Sequence, residues 1–249
     1  MIGYQYTASD LAYLNRGEGL PDMLKNNIVG TMDGVLFPAF SRIQDDVQMF
    51  KRGMRKTIIV ANYVLVPVMF GLAAVSGNIV PLLYSSQWNP AIPFMQISCL
   101  TVCVVAINNT NLQALYALGR TDEVLRIEYL KKVVMLLILF VAMGISPLAI
   151  SVGFLLHSCH ELFWTIRSLH KYIGFSLKEQ LLCVMPASLL AFSMAVGVYL
   201  IGFLFDNVIL SLVVQVAFGA SFYIVISRRM NLEGYMLIKQ KLQEKYKKH

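Results

Sequence analysis

Seven long apolar stretches, parted by short polar or charged connectors, dominate the chain: about 9–42, 58–83, 91–118, 127–145, 147–166, 181–203 and 208–227. Each reaches the roughly 20 residues that a helix needs to cross a bilayer, so the pattern predicts an all-α, polytopic membrane helical bundle with about seven transmembrane helices. The connectors agree with that reading. Pro67 and Pro81 mark the second run as a span followed by a break, and 85–90 links it to the third. Ser146-Pro147 is a tight turn with proline suited to the first turn of a new helix. Phe205-Asp206-Asn207 joins the last two spans. The bundle is assigned to 1–230 and a basic tail to 231–249. No heptad or solenoid repeat is visible.

Composition narrows the class further. Hydrophobic residues make up 57% and charged residues 14% of the 249 positions, against roughly 45–50% and 25% in a soluble domain. This excludes a disordered chain, a disulfide scaffold and a simple cytosolic enzyme. Cys99, Cys103, Cys159 and Cys183 lie inside apolar runs without a CxxC pair, which is packing rather than redox or zinc chemistry.

The net charge of +7 is distributed in bursts between uncharged runs, not along one continuous face, so nucleic acid is not an expected partner. Alternating seven spans puts Arg42, the 51–56 group, Arg120, Arg126, Lys131, Lys132, Arg167, Lys171, Lys178 and the tail on one side, leaving Arg16 and Lys25 for the other. The positive-inside rule then predicts a cytoplasmic C-terminus, with Trp88 near the outer interface and Trp164 near the inner one. No signal peptide is evident at the N-terminus, so insertion is expected to rely on the internal spans. In the tail, Tyr235, Ile238, Leu242 and Tyr246 share helical spacing among lysines, which suits either an anionic membrane surface or a frayed, solvated end.

The first helix carries the most informative chemistry. Mid-membrane charges cost on the order of 2.5–3.5 kcal/mol each, yet this segment holds Asn15, Arg16, Glu18, Asp22, Lys25, Asn26 and Asp33. At 100° per residue Asn15, Glu18, Asp22, Asn26 and Asp33 fall on one side with Lys25 beside them, a stripe that should face protein or water. Gly17, Gly19, Pro21, Gly30 and Gly34 suggest bends or close backbone approaches. A purely structural reading pairs Asp22 with Lys25 and leaves Arg16 and Glu18 in outer headgroups. A second cluster, Asn108, Asn109, Thr110, Asn111 and Gln113, suits interhelical bonding or a sugar hydroxyl, the former being the commoner use.

His157-Ser158-Cys159-His160-Glu161 lacks the HExxH order of a metalloprotease and reads as polar packing or a proton relay. No metal or cofactor is expected. Neither GxxxxGK[ST] nor GxSxG occurs, and the loops are too short for a catalytic domain, so an enzyme is not expected.

Several strings resemble the polysaccharide-transporter (oligosaccharide flippase) family, of O-antigen and exopolysaccharide exporter type. They are Tyr13-Leu14-Asn15-Arg16-Gly17 with Leu20-Pro21, Val35-Leu36-Phe37-Pro38-Ala39-Phe40-Ser41-Arg42-Ile43-Gln44-Asp45-Asp46, Gln87-Trp88-Asn89-Pro90-Ala91-Ile92-Pro93-Phe94-Met95-Gln96-Ile97, and Ala117-Leu118-Gly119-Arg120-Thr121-Asp122. They cover about the first half of the chain.

The resemblance implies a place in the multidrug/oligosaccharidyl-lipid/polysaccharide exporter superfamily, whose members rock two helical bundles about a cavity in the bacterial cytoplasmic membrane. It implies undecaprenyl-diphosphate-linked oligosaccharide as cargo. Members have about twice as many helices, so the chain corresponds to the C-terminal bundle of a two-bundle transporter, and its expected partners are membrane lipids and the missing N-terminal half. Arg16 and Lys25 would meet the diphosphate, and Asn15, Asp22, Asn26 and Asp33 the sugar hydroxyls. Two alternatives stay open: a cation-coupled drug or solute antiporter using Asp22, Asp33 or the 157–161 string, and a non-transporting truncated fragment.

Overall fold

A computed structural model describes residues 7–246, with the side chains of 31–33, 242, 245 and 246 outside that description. Eight α-helices follow one another: α1 (Ala8–Ser41), α2 (Val47–Tyr84), α3 (Ile92–Ala117), α4 (Thr121–Met143), α5 (Pro147–Ile173), α6 (Leu177–Ile201), α7 (Val208–Arg229) and α8 (Glu233–Tyr246). A 3-10 turn, Ser86–Ala91, separates α2 from α3. No strand occurs among the described residues.

Several helices begin or end well outside the apolar runs, because hydropathy marks immersion in lipid whereas caps mark helix ends. Asp46 caps α2, its carboxylate accepting from the Met49 N–H at 2.9 Å, so the charged segment 47–57 is already helical. Ser176 and Glu179 form a reciprocal capping box that starts α6 ahead of its apolar run. Gly174, at φ 64°, closes α5 in the left-handed conformation that costs glycine least.

Helix α2 is the central post, touching α3, α6, α7 and α8, while α1 lies along α3, α5 packs between α3 and α4, and α7 leans on α6. The antiparallel run brings four basic connections to one end. There Lys51 meets Glu179 at 2.7 Å, Arg55 meets Glu233 at 2.7 Å, and Lys171 meets Glu123 at 2.9 Å. The Arg120 guanidinium lies 4.4 Å from the Tyr172 ring centre. Beneath these pairs Phe40, Phe50, Met54, Leu169 and Phe175 form a sealed apolar plug.

The outward faces of α4, α6 and α7 are apolar: Leu136, Leu137 and Phe140, then Leu182, Leu189 and Phe192, then Val213 and Val216 are all exposed. Such faces would not be left to water, and α2, the unit Ser86–Ala117, α6 and α7 are long and apolar enough to cross a membrane. The molecule is a helical membrane bundle.

The described part of the tail, Glu233–Tyr246, is helical. Leu232, Tyr235 and Ile238 pack on the α2–α6–α7 core, and a Cβ at Gly234 would lie 2.7 Å from Tyr63, so α8 sits close on α2.

Candidate substrate cavity

Helix α1 starts from a capping box in which the Asp10 N–H donates to Thr7 Oγ1 at 3.2 Å and the Thr7 N–H to Asp10 Oδ2 at 3.1 Å. Its contact with α3 is set by Gly17. A Cβ there would lie 2.5 Å from Phe94 Cβ and 2.9 Å from the Ala91 carbonyl, closer than atoms pack, so only glycine lets the backbones meet. Pro21, four residues on, withdraws the N–H that the Gly17 carbonyl would otherwise accept from. Gly19, Gly30 and Gly34 have no such neighbour.

Past this contact α1, α3 and α5 line a partly open cavity of about 160 Å³ with a mixed lining, apolar at Val102, Val105 and Phe154. Glu18, Asp22 and Lys25 line it from α1, Ser98 and Thr101 from α3, and Ser151 from α5. The Lys25 ammonium donates to Asp22 Oδ1 at 2.6 Å, both groups half-buried. Thr101 spends its hydroxyl proton on the Ile97 carbonyl at 3.0 Å. The Ser151 hydroxyl is buried without a partner among the described residues, which costs about 1–3 kcal/mol unless something else fills the role. That volume has room for several waters but falls below the roughly 300–1,000 Å³ of a drug-sized site.

The structure divides the other candidates among different places. Arg16 lies half a turn round the helix from Lys25 and about 13–14 Å along it, its guanidinium 5.1 Å from the Tyr84 ring and 5.2 Å from that of Trp88. Tyr13 completes the aromatic group, 5.8 Å from Trp88. Asn15 and Asn26 are exposed and do not line the cavity. Asp33 belongs to α1, but its side chain lies outside the described residues.

The other polar clusters bind helices to one another. Thr165 donates to Asn108 Oδ1 at 2.9 Å, and Asn111 to Gln180 Oε1 at 3.1 Å, joining α3 to α5 and α6. In the 157–161 string the His160–Trp164 bond, the indole donating at 2.9 Å, stays within α5, whereas His157 Nε2 reaches across to α4, 3.2 Å from the Lys131 carbonyl.

Two features escaped the sequence reading. Lys131, grouped there with the basic connections, reaches the buried Glu161 at 2.9 Å as well as Glu128 at 2.7 Å; an acid inside an apolar run was itself a sign that a partner had to exist. Asn78 donates to Ser211 at 3.1 Å and Gln215 at 3.0 Å, locking α2 to α7, and no local spacing signals a pair so distant in sequence.

Residues 1–93 match the model of a family described as polysaccharide biosynthesis protein. The chain is 35% identical over 103 residues to the lipopolysaccharide biosynthesis protein WzxC of Escherichia coli (strain K12), covering 41% of this chain and 20% of that protein. It is 26% identical over 106 residues to the succinoglycan biosynthesis transport protein ExoT of Rhizobium meliloti (strain 1021), covering 43% of this chain and 21% of that one. Over the matched part, then, the chain is similar to polysaccharide biosynthesis and transport proteins. These alignments span about a fifth of each curated relative's length. In fold, 90% of the chain superposes on 48% of the lipid II flippase MurJ in an inward closed conformation, at a TM-score of 0.76 and 16% identity. The fold is therefore half of a MurJ-like one.

Proposed function

We propose that the chain supplies one bundle of a flippase that moves undecaprenyl-diphosphate-linked oligosaccharide across the bacterial cytoplasmic membrane, working with a second bundle from a separate N-terminal half. The activity is transport, without catalysis, cofactor or metal. All seven long helices span, and the basic end with α8 faces the cytoplasm, as the lysine and arginine bias requires. The carrying observation is the α1 cavity, where Glu18, Asp22 and Lys25 meet three hydroxyl side chains within a membrane bundle. Carboxylates and hydroxyls suit sugar hydroxyls, and an ammonium suits a diphosphate. The family relation of residues 1–93 supports the same cargo.

Arg16 and Lys25 stand on opposite faces of α1, so one headgroup does not touch both from one side. The reading therefore gives them successive roles: Lys25 with Asp22 and Asn26 along the path, joined by Asp33 on the strength of its helical periodicity in the sequence, and Arg16 with the neighbouring Asn15 at the aromatic end. Complementation of a flippase-deficient strain tests this, with the chain co-expressed with a complementary bundle and membrane abundance matched. Lys25→Ala should lower surface polysaccharide, with about a tenfold drop in headgroup binding for a lost charge-assisted bond. Arg16→Ala should impair transport separately, and the chain expressed alone should not complement. Wild-type polysaccharide from both single variants and the double variant would refute the headgroup roles. A second reading, cation-coupled export of a soluble solute, draws on Glu18 and Asp22 sharing the cavity; it predicts solute efflux and no complementation.

A further inference from the structure

At the basic end, far from the α1 cavity, α2 and α6 flank a cleft of about 440 Å³, within the size range of ligand sites. Lys51, Arg52 and Arg55 line it from one stretch of α2, Glu179 and Leu182 from α6, and Phe175 from the linker. Two of the three cations are already engaged. Lys51 bonds Glu179 at 2.7 Å and the Gly174 carbonyl at 2.9 Å, and Arg55 bonds Glu233 at 2.7 Å. Arg52 meets no carboxylate among the described residues; its Nε donates to the Gln48 carbonyl at 3.2 Å, and the side chain is exposed. The cleft thus holds one positive charge beyond its acids, on the side chain best shaped for a phosphate.

The apolar side is the stretch of the lipid-facing surface of α6 that adjoins the cleft. Leu182, at the cleft's lip, is 62% exposed, and below it Met185 and Leu189 stand exposed at 47% and 62%. Positions 182, 185 and 189 share one face of α6 and run about 10 Å down the helix from the cleft. A free anion has no use for such a stripe, whereas an amphiphile uses both parts.

We propose that this cleft binds the phosphate headgroup of an anionic phospholipid, Arg52 holding the phosphate and an acyl chain lying along Leu182, Met185 and Leu189. The site is independent of the transport reading and shares no residue with the α1 cavity. Lipid bound there would bridge α2 and α6 where α8 also docks.

The test is native mass spectrometry of the purified chain in micelles, titrated with phosphatidylglycerol or phosphatidylcholine of identical acyl chains. The wild type should prefer phosphatidylglycerol. Arg52→Gln should weaken that binding about fivefold, the worth of one basic residue at an anionic surface, while Arg229→Gln, the same charge change at the end of α7, should leave it unchanged. Leu182→Asn should also weaken it, and excess inorganic phosphate should not displace the lipid. Equal binding of the two lipids, or equal losses in Arg52→Gln and Arg229→Gln, would overturn the proposal. Displacement by phosphate with Leu182→Asn unaffected would do so too, marking a site for a free anion.

Discussion

The Lys131–Glu161 pair between α4 and α5 allows a sharp energetic test, because its two halves are unequally protected. Glu161 has a side chain only 8% exposed and Lys131 as its ion-pair partner, at 2.9 Å. Lys131, 25% exposed, also holds Glu128 at 2.7 Å. Lys131→Met therefore strands a buried carboxylate, a change that costs about 3–5 kcal/mol where one member of a buried pair is removed. Glu161→Gln leaves the ammonium with Glu128 and removes one charged hydrogen bond, about 1.5–3 kcal/mol. The double variant strands no charge at 161, so its cost should fall short of the sum by about 1–2 kcal/mol, within the range of couplings between contacting residues. Equilibrium unfolding of the four proteins in mixed micelles, followed by helix content, supplies the cycle. The reasoning fails if Glu161→Gln costs as much as Lys131→Met, or if the two losses add to within about 0.3 kcal/mol.

Gly17→Leu should force α1 off α3 and cost about 1–3 kcal/mol as overpacking, whereas Gly19→Ala, with open space around it, should be neutral or slightly stabilising; thermal unfolding of both distinguishes a packing role from a general helix effect. At the basic end, hydrogen bonds from Lys171 and Tyr172 hold the Glu123 carboxyl below its ordinary pKa, and the Lys51 ammonium does the same for Glu179. A depressed folded-state pKa gives stability that is complete above the ordinary carboxylate range and is lost as pH falls through the lowered value, so Tm should drop on acidification and drop less in a Glu123→Gln, Glu179→Gln double variant; identical acid profiles would contradict this.

How much of this was legible in the sequence depended on whether the cause was local. Ser146-Pro147 and Asp206-Asn207 mark their turns because a cap or a proline acts within a few residues, and the structure uses Ser146 and Asn207 as N-caps. The start of α2 was hidden by Lys51, Arg52, Arg55 and Lys56, which read as a connector, although Asp46 was the visible cap signal. At the candidate site, helical periodicity places Glu18, Asp22 and Lys25 near one another without knowledge of the fold. It cannot place Ser98, Thr101 or Ser151, or tell that Arg16 meets Tyr84 and Trp88, since those partners are brought by packing of α2, α3 and α5.

The uncovered side of α1 bears on whether a water-filled path exists. Where α6 and α7 face outward they show Leu189, Phe192, Val213 and Val216, as lipid requires. Helix α1, whose main support is α3, exposes Asn15, Gly19, Asn26 and Gly30 interspersed with the apolar Met23, Val35 and Phe37. Asparagine facing hydrocarbon is costly, so this side is expected to meet water or a second bundle. In a cysteine-free background, Asp22→Cys, Lys25→Cys and Asn26→Cys should react with a membrane-impermeant thiol reagent, and Val213→Cys and Val216→Cys only with a lipid-dissolved one. If the α1 cysteines label from lipid and resist the aqueous reagent while those on α7 behave as stated, α1 faces the bilayer, and its polar stripe is satisfied within the helix by pairs such as Asp22–Lys25.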